Sequence, residues 1–130
     1  MEKLLKNISF KEQDKQLTEL FSTKAEKIAT MLDEKNNKTG ISTTQFRKFY
    51  EKVLELNEKA SGLEDGDFDI KIKPFVKMIN SKVQYSHTRK IAGNNFVSLM
   101  DISIKAVNSK EELQNFKYFL ESIIGFMPKK

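Results

Sequence analysis

The sequence predicts an all-α fold, a single-domain bundle of about five helices, and three observations carry that prediction. Apolar residues recur at three- and four-residue spacing through most of the chain. Two capping boxes mark helix starts at Ser42 and Ser109. Only two Pro and five Gly interrupt 130 residues, too few for a turn-rich β protein. No strict alternation runs longer than residues 68–72. A chain of this length can bury roughly two thirds of its unfolded surface, and ten Phe supply bulk to a hydrophobic fraction of 38%.

Residues 1–13 carry scattered apolar points (Leu4, Leu5, Ile8 and Phe10) and read as an N-terminal arm or short helix that docks or frays; residues 14–130 form the bundle domain. The first long helix runs from Asp14 to about Glu34, with Leu17, Leu20, Phe21, Ala25, Ile28, Met31 and Leu32 at helical spacing. Residues 36–40, Asn-Asn-Lys-Thr-Gly, end it. The second helix starts where Ser42 caps Gln45, with Ile41 and Phe46 placed as a hydrophobic staple. Phe46, Phe49, Tyr50, Val53, Leu56 and Ala60 form its buried face, and Glu51 and Glu55 can pair with Lys52 and Lys59. Residues 61–67 read as a flexible acidic connection without helical period. Its D-x-D pattern lacks the alternating ligands and closing Glu of a calcium loop, so no metal is expected.

The third helix begins near Pro74, which has no N–H to donate, with residues 70–73 as its lead-in. Phe75, Val76, Ile79, Val83 and Ser86 share the face expected to look inward. Met78, Lys82, Tyr85 and Arg89 form a second row that borders it. Residues 93–95 break this helix. A fourth, with Phe96, Val97, Leu99, Met100, Ile104 and Val107, is apolar on most sides and therefore central. The last opens at Ser109 and turns Leu113, Phe116, Leu120, Ile123, Ile124 and Met127 inward, closed by Gly125 and Pro128.

Charge is informative by its placement. Of 23 basic residues 21 are Lys, and a Lys-, Asn- and Ile-rich composition needs no binding role. Yet residues 71–100 contain six basic side chains and no acid, against +5 for the whole chain. Two readings of the row around Tyr85 stay open: lysine stems snorkelling over the core with their charges in water, or cations facing a phosphate-rich partner. On the second reading Arg47, Lys48 and Lys52 join Lys77, Lys82, Arg89 and Lys90 in one stripe, if the second and third helices lie side by side. Tyr50 and Tyr85 are then available to stack or to bond a sugar. Lysine is a point charge and two Arg cannot make a base-reading code, so such binding is without sequence choice.

Catalysis has little to work with. The chain holds one His, His87, and no Cys, with no acid between Asp69 and Asp101. Helical ribonucleases that place a His four to six residues after an Arg are not matched, since His87 precedes Arg89 and lies forty residues beyond Arg47. No phosphate loop or metal-ligand spacing occurs, so neither an enzyme nor a cofactor is expected. Without Cys, a signal peptide or an apolar run near 18 residues, a soluble cytoplasmic protein with no membrane partner is the expectation. Two further readings compete: a helical protein–protein adaptor whose lysines serve solubility, and a DNA-binding regulator. The second wants a tight turn before its reading helix, where this chain has Asn-Asn-Lys-Thr-Gly.

Three stretches resemble a known family: Ile-Ser-Thr-Thr-Gln-Phe-Arg-Lys-Phe-Tyr (41–50), Ser-Lys-Val-Gln-Tyr-Ser-His-Thr-Arg-Lys (81–90) and Leu-Gln-Asn-Phe-Lys-Tyr-Phe-Leu-Glu-Ser-Ile-Ile-Gly-Phe (113–126). They are similar, in order and over about residues 14 to 127, to the small helical subunit of the type III-A (Csm) CRISPR effector complex. Ser86, His87 and Thr88 replace the small residues usual after the tyrosine, and Phe126 stands where a tyrosine is common. The resemblance implies a non-catalytic bundle stacked in several copies along the effector, lining the path of guide RNA and target RNA. It implies other Csm subunits and further copies of the chain as partners. Carried over by position, Arg47, Lys48, Lys52, Lys82 and Arg89 would contact phosphate, and Tyr85 would position its helix.

Overall fold

The structure is a computed structural model, which describes residues 1–11, 15–33 and 39–127. Those residues form eight helices and no strand: α1 (Glu2–Leu5), α2 (Gln16–Leu20), α3 (Thr23–Leu32), α4 (Thr43–Ser61), α5 (Asp65–Lys71), α6 (Lys73–Thr88), α7 (Asn94–Lys105) and α8 (Lys110–Phe126). Five of them, α3, α4, α6, α7 and α8, have ten residues or more and correspond to the five expected from periodicity. The expected ends of the first helix at Asp14 and Glu34, the Asn36-Asn37-Lys38 part of its loop, and Pro128 lie outside the described residues.

The serine half of both capping boxes forms. Ser42 Oγ accepts from the Gln45 N–H and Ser109 Oγ from the Glu112 N–H, each at 3.2 Å. The return bond at the second box is displaced by one residue, because Glu112 accepts from the Asn108 N–H at 3.2 Å. Ile41 and Phe46 are both buried, as a staple requires.

Helices α4 and α8 pack antiparallel. Tyr50 meets Glu121 at one end, and Lys110 Nζ donates to the Leu63 carbonyl at the other. Helices α6 and α7 form a second antiparallel pair, pinned where Lys77 reaches the Ile104 carbonyl and Asn80 donates to Asp101 Oδ1 at 2.9 Å. Phe96 of α7 joins the two pairs, with ring centroids 5.1 Å from Phe46 and 5.3 Å from Phe49.

Two expectations are corrected here. The first long helix is broken: α2 ends at Leu20 and α3 restarts at Thr23. Ser22 Oγ donates to the Thr18 carbonyl, and the Ser22 N–H turns to Glu19, three residues back. A serine hydroxyl that competes for backbone carbonyls weakens a helix at that point, while Leu20, Ala25 and Ile28 still reach one core. The acidic connection, for its part, gives way at Asp65 to helix α5, which runs on to Lys71 inside the expected lead-in. Only two anchors one turn apart, Phe68 and Ile72, are buried, too few for a visible period. Lys71 with Asp67 and Lys73 with Asp69 add four-residue ion pairs at 4.0 and 3.9 Å.

The N-terminal segment is docked at Phe10, whose ring lies 5.5 Å from Phe116 and 5.6 Å from Phe119 and is fully buried. Its carbonyl accepts from Asn115 Nδ2 at 2.7 Å. Phe10→Ala is therefore expected to cost about 3–5 kcal/mol in urea unfolding, as for a core phenylalanine. A loss under about 1 kcal/mol would show that the segment does not belong to the core. Gly40 is equally constrained, since a Cβ there would lie 2.2 Å from the Leu32 carbonyl oxygen, while its own carbonyl accepts from the Gly93 N–H at 2.8 Å. Gly40→Ala should lower stability by about 1–3 kcal/mol in the same assay.

Candidate nucleic-acid interface

Helix α6 is seated by Val76, Ile79 and Val83, all buried. Phe75 does not join them. One residue before Val76 is 100° round the helix, and that rotation leaves Phe75 about half exposed. This corrects the expected inward face: Phe75 instead extends the outer row, which now reads Phe75, Met78, Lys82, Tyr85, Arg89 at spacings of three, four, three and four. Every member of the row is exposed, with Met78 at 52% and Tyr85 at 62%.

At the end of α6 the row is ordered by its own contacts. Arg89 Nη1 donates to the Tyr85 hydroxyl at 2.9 Å, and the guanidinium carbon lies 5.5 Å from the ring centroid. The helix closes in a Schellman arrangement, with the Ile91 N–H on the Ser86 carbonyl at 2.9 Å and the Lys90 N–H on His87 at 3.0 Å. Lys90 occupies the left-handed position, φ 64°, where Gly is the usual residue. His87 Nδ1 stands 2.8 Å from the Ala92 carbonyl; a carbonyl only accepts, so Nδ1 carries the proton. His87 thus ties the turn together and, among the described residues, has no nucleophile or acid as a hydrogen-bond partner.

The expected site residues divide into free and engaged cations. Among the described residues Arg47, Lys48, Lys82, Arg89 and Lys90 are exposed and have no carboxylate within ion-pair distance. The Gly40–Gly93 hydrogen bond ties the entrance of α4 to the exit of α6, so Arg47, Lys48, Arg89 and Lys90 share one end of the bundle. Lys82 lies about 11 Å along α6 from Arg89. Lys52 shares Glu55 with Lys59, at 3.6 and 3.3 Å, and these two lysines hold the Glu55 carboxyl below its ordinary value, the Lys59 hydrogen bond most of all. The Tyr50 hydroxyl donates to Glu121 Oε1 at 3.3 Å; burial first, then the Glu121 charge, raises its pKa.

Lys77 is the clearest exception to the stripe. Its ammonium donates to the Ile104 and Val107 carbonyls at 2.8 Å each and to Asn108 Oδ1 at 3.3 Å, capping the C-terminus of α7. Burial, then the neighbouring Lys73 charge, lowers its pKa, with Glu112 opposing. Sequence reasoning placed Lys77 with the stripe because a lysine's reach across to a neighbouring helix end leaves no local signature.

The structure thus presents a helical bundle with an acid-free cationic helix laid on its surface and, among the described residues, no cluster of three metal-ligating side chains and no helix long and apolar enough to cross a membrane. The family described as Csm2 Type III-A matches residues 14–127. That span covers most of the chain, which belongs to this family of small structural subunits of the type III-A CRISPR complex; membership implies the other Csm subunits as partners. No significant match was found among curated proteins or among solved structures.

Lys77→Met, which keeps the stem and removes the cap, should cost about 1.5–3 kcal/mol, the range for hydrogen bonds to a charged donor. It should leave any RNA affinity unchanged in filter binding. A loss of affinity without a loss of stability would return Lys77 to the binding surface.

Proposed function

We propose that the chain is a non-catalytic small subunit of the type III-A CRISPR ribonucleoprotein, holding the backbone of guide RNA and target RNA without sequence choice. It self-associates in the cytoplasm, as a dimer or as stacked copies, and so helps assemble the effector filament in antiviral defence. One observation carries the RNA reading. In a member of this family, five exposed cations (Arg47, Lys48, Lys82, Arg89 and Lys90) lack carboxylate partners among the described residues, and three of them lie in the acid-free stretch. Lys52, half neutralised by Glu55, adds a weaker charge beside Lys48, one turn away.

Binding by five phosphates predicts that log affinity for single-stranded RNA falls against log salt with a slope near about −3.5. Lys82→Ala with Arg89→Ala should lower that slope by about 1.4, equally for unrelated sequences, with little change in melting temperature. A flat salt response in filter binding, or a collapse of stability in the double variant, would refute it.

Lys90 separates binding from folding. A left-handed residue costs about 1–2 kcal/mol when it carries a Cβ, so Lys90→Gly should raise the melting temperature by a few degrees while weakening RNA binding. A variant both more stable and equally tight would remove Lys90 from the site.

A further inference from the structure

We propose that the outer row of α6 is a stacking platform for unpaired bases, so that this face prefers single-stranded RNA to a duplex. The inference rests on the RNA-binding reading above and goes beyond its backbone contacts. A track for phosphates alone needs cations, not rings, and half-exposed Phe75 and Met78 with Tyr85 at 62% exposure have no place in it. They share one line of the helix with Lys82 and Arg89, which flank Tyr85, the combination of aromatic face and fixed charge that holds single strands.

Tyr85 is also set in advance. The Arg89 bond to its hydroxyl holds the ring, and the guanidinium lies beside it, adding a second flat surface on which a base can rest. Phe75 and Tyr85 are ten residues apart, about 15 Å along the axis, so they serve different nucleotides. A paired RNA helix keeps its bases stacked inside and offers this row only phosphates and sugars. A second copy meeting this row about a two-fold axis through its middle would bring Lys82 against its own counterpart with no acid between residues 70 and 100 to offset it, which disfavours that occupant.

The test uses the full chain, a mixed-sequence RNA of about 15 nucleotides without internal pairing, its duplex, and an abasic strand of the same length. Phe75→Leu with Tyr85→Leu keeps apolar bulk and removes both rings. The expected result is a loss of about fivefold or more on the single strand, with the duplex, the abasic strand and the salt slope unchanged. Tyr85→Leu alone should show part of this loss, and Tyr85→Phe, which retains the ring but loses the Arg89 bond, should keep most of the parent affinity.

Equal losses on single strand and duplex, or unchanged affinity in the double variant, would overturn the platform and leave the backbone reading standing. So would a Tyr85→Phe chain as weak as Tyr85→Leu, because the hydroxyl bond rather than the ring would then be what matters. Unchanged RNA binding together with a lost dimer in sedimentation would assign the row to self-association. A parent chain that binds none of the three probes overturns both readings together.

Discussion

Everything on the candidate face depends on α6 being held from one side only. Val76, Ile79 and Val83 enter the core, and Lys77 spans from the same helix to the open carbonyls of α7. The Asn80–Asp101 bond adds a third tie along that seam. With three kinds of contact on one side, the rest of the helix circumference is released from packing duty. It can carry rings and charges whose presence contributes little to stability. The acid-free stretch is thus split by role: Lys77 is spent on the fold, and Lys82, Arg89 and Lys90 are left to solvent or to a ligand.

Five other lysines show what a paired surface looks like in this chain, whereas Lys3, Lys6, Lys11, Lys15, Lys24 and Lys27 enter no ion pair among the described residues. Lys52 and Lys59 share Glu55, Lys71 and Lys73 pair with Asp67 and Asp69, and Lys105 meets Asp101 at 3.1 Å. Exposed pairs of this kind contribute little each, enough to suit a helix surface but not to define a site. Each of the other seven helices contains at least one acid, so α6, which has none, is a departure. A charge count of +5 would not reveal it, because paired and unpaired lysines enter the sum alike.

What could be read from the sequence follows the same division between local and non-local causes. Caps at Ser42 and Ser109 are local chemistry and stand where the residues put them. The five long helices were legible because each repeats its apolar positions over nearly three turns or more. The break at Ser22 was not, since Leu17, Leu20, Phe21, Ala25 and Ile28 keep helical spacing straight through it. Helix α5 was hidden for the opposite reason, having only Phe68 and Ile72 to show. At the site, the spacing of Met78, Lys82, Tyr85 and Arg89 was visible, but the side on which Phe75 falls was not. That depends on where α6 is seated, a fact about neighbours far away in the chain.

Lys90 shows most sharply how fold and ligand make different demands on one residue. A Schellman turn asks for Gly at the position where Lys90 stands at φ 64°, and the two hydrogen bonds that define the turn would form without any side chain there. A lysine at this point brings strain of about 1–2 kcal/mol and repels Arg89 beside it, so on stability alone it is the wrong residue. The partial negative charge at the end of α6 offsets part of that repulsion, and on the proposed reading an RNA phosphate would offset the rest. Backbone strain, like-charge repulsion and, among the described residues, the lack of a carboxylate partner converge at Lys90, and the proposed RNA backbone would offset the last two.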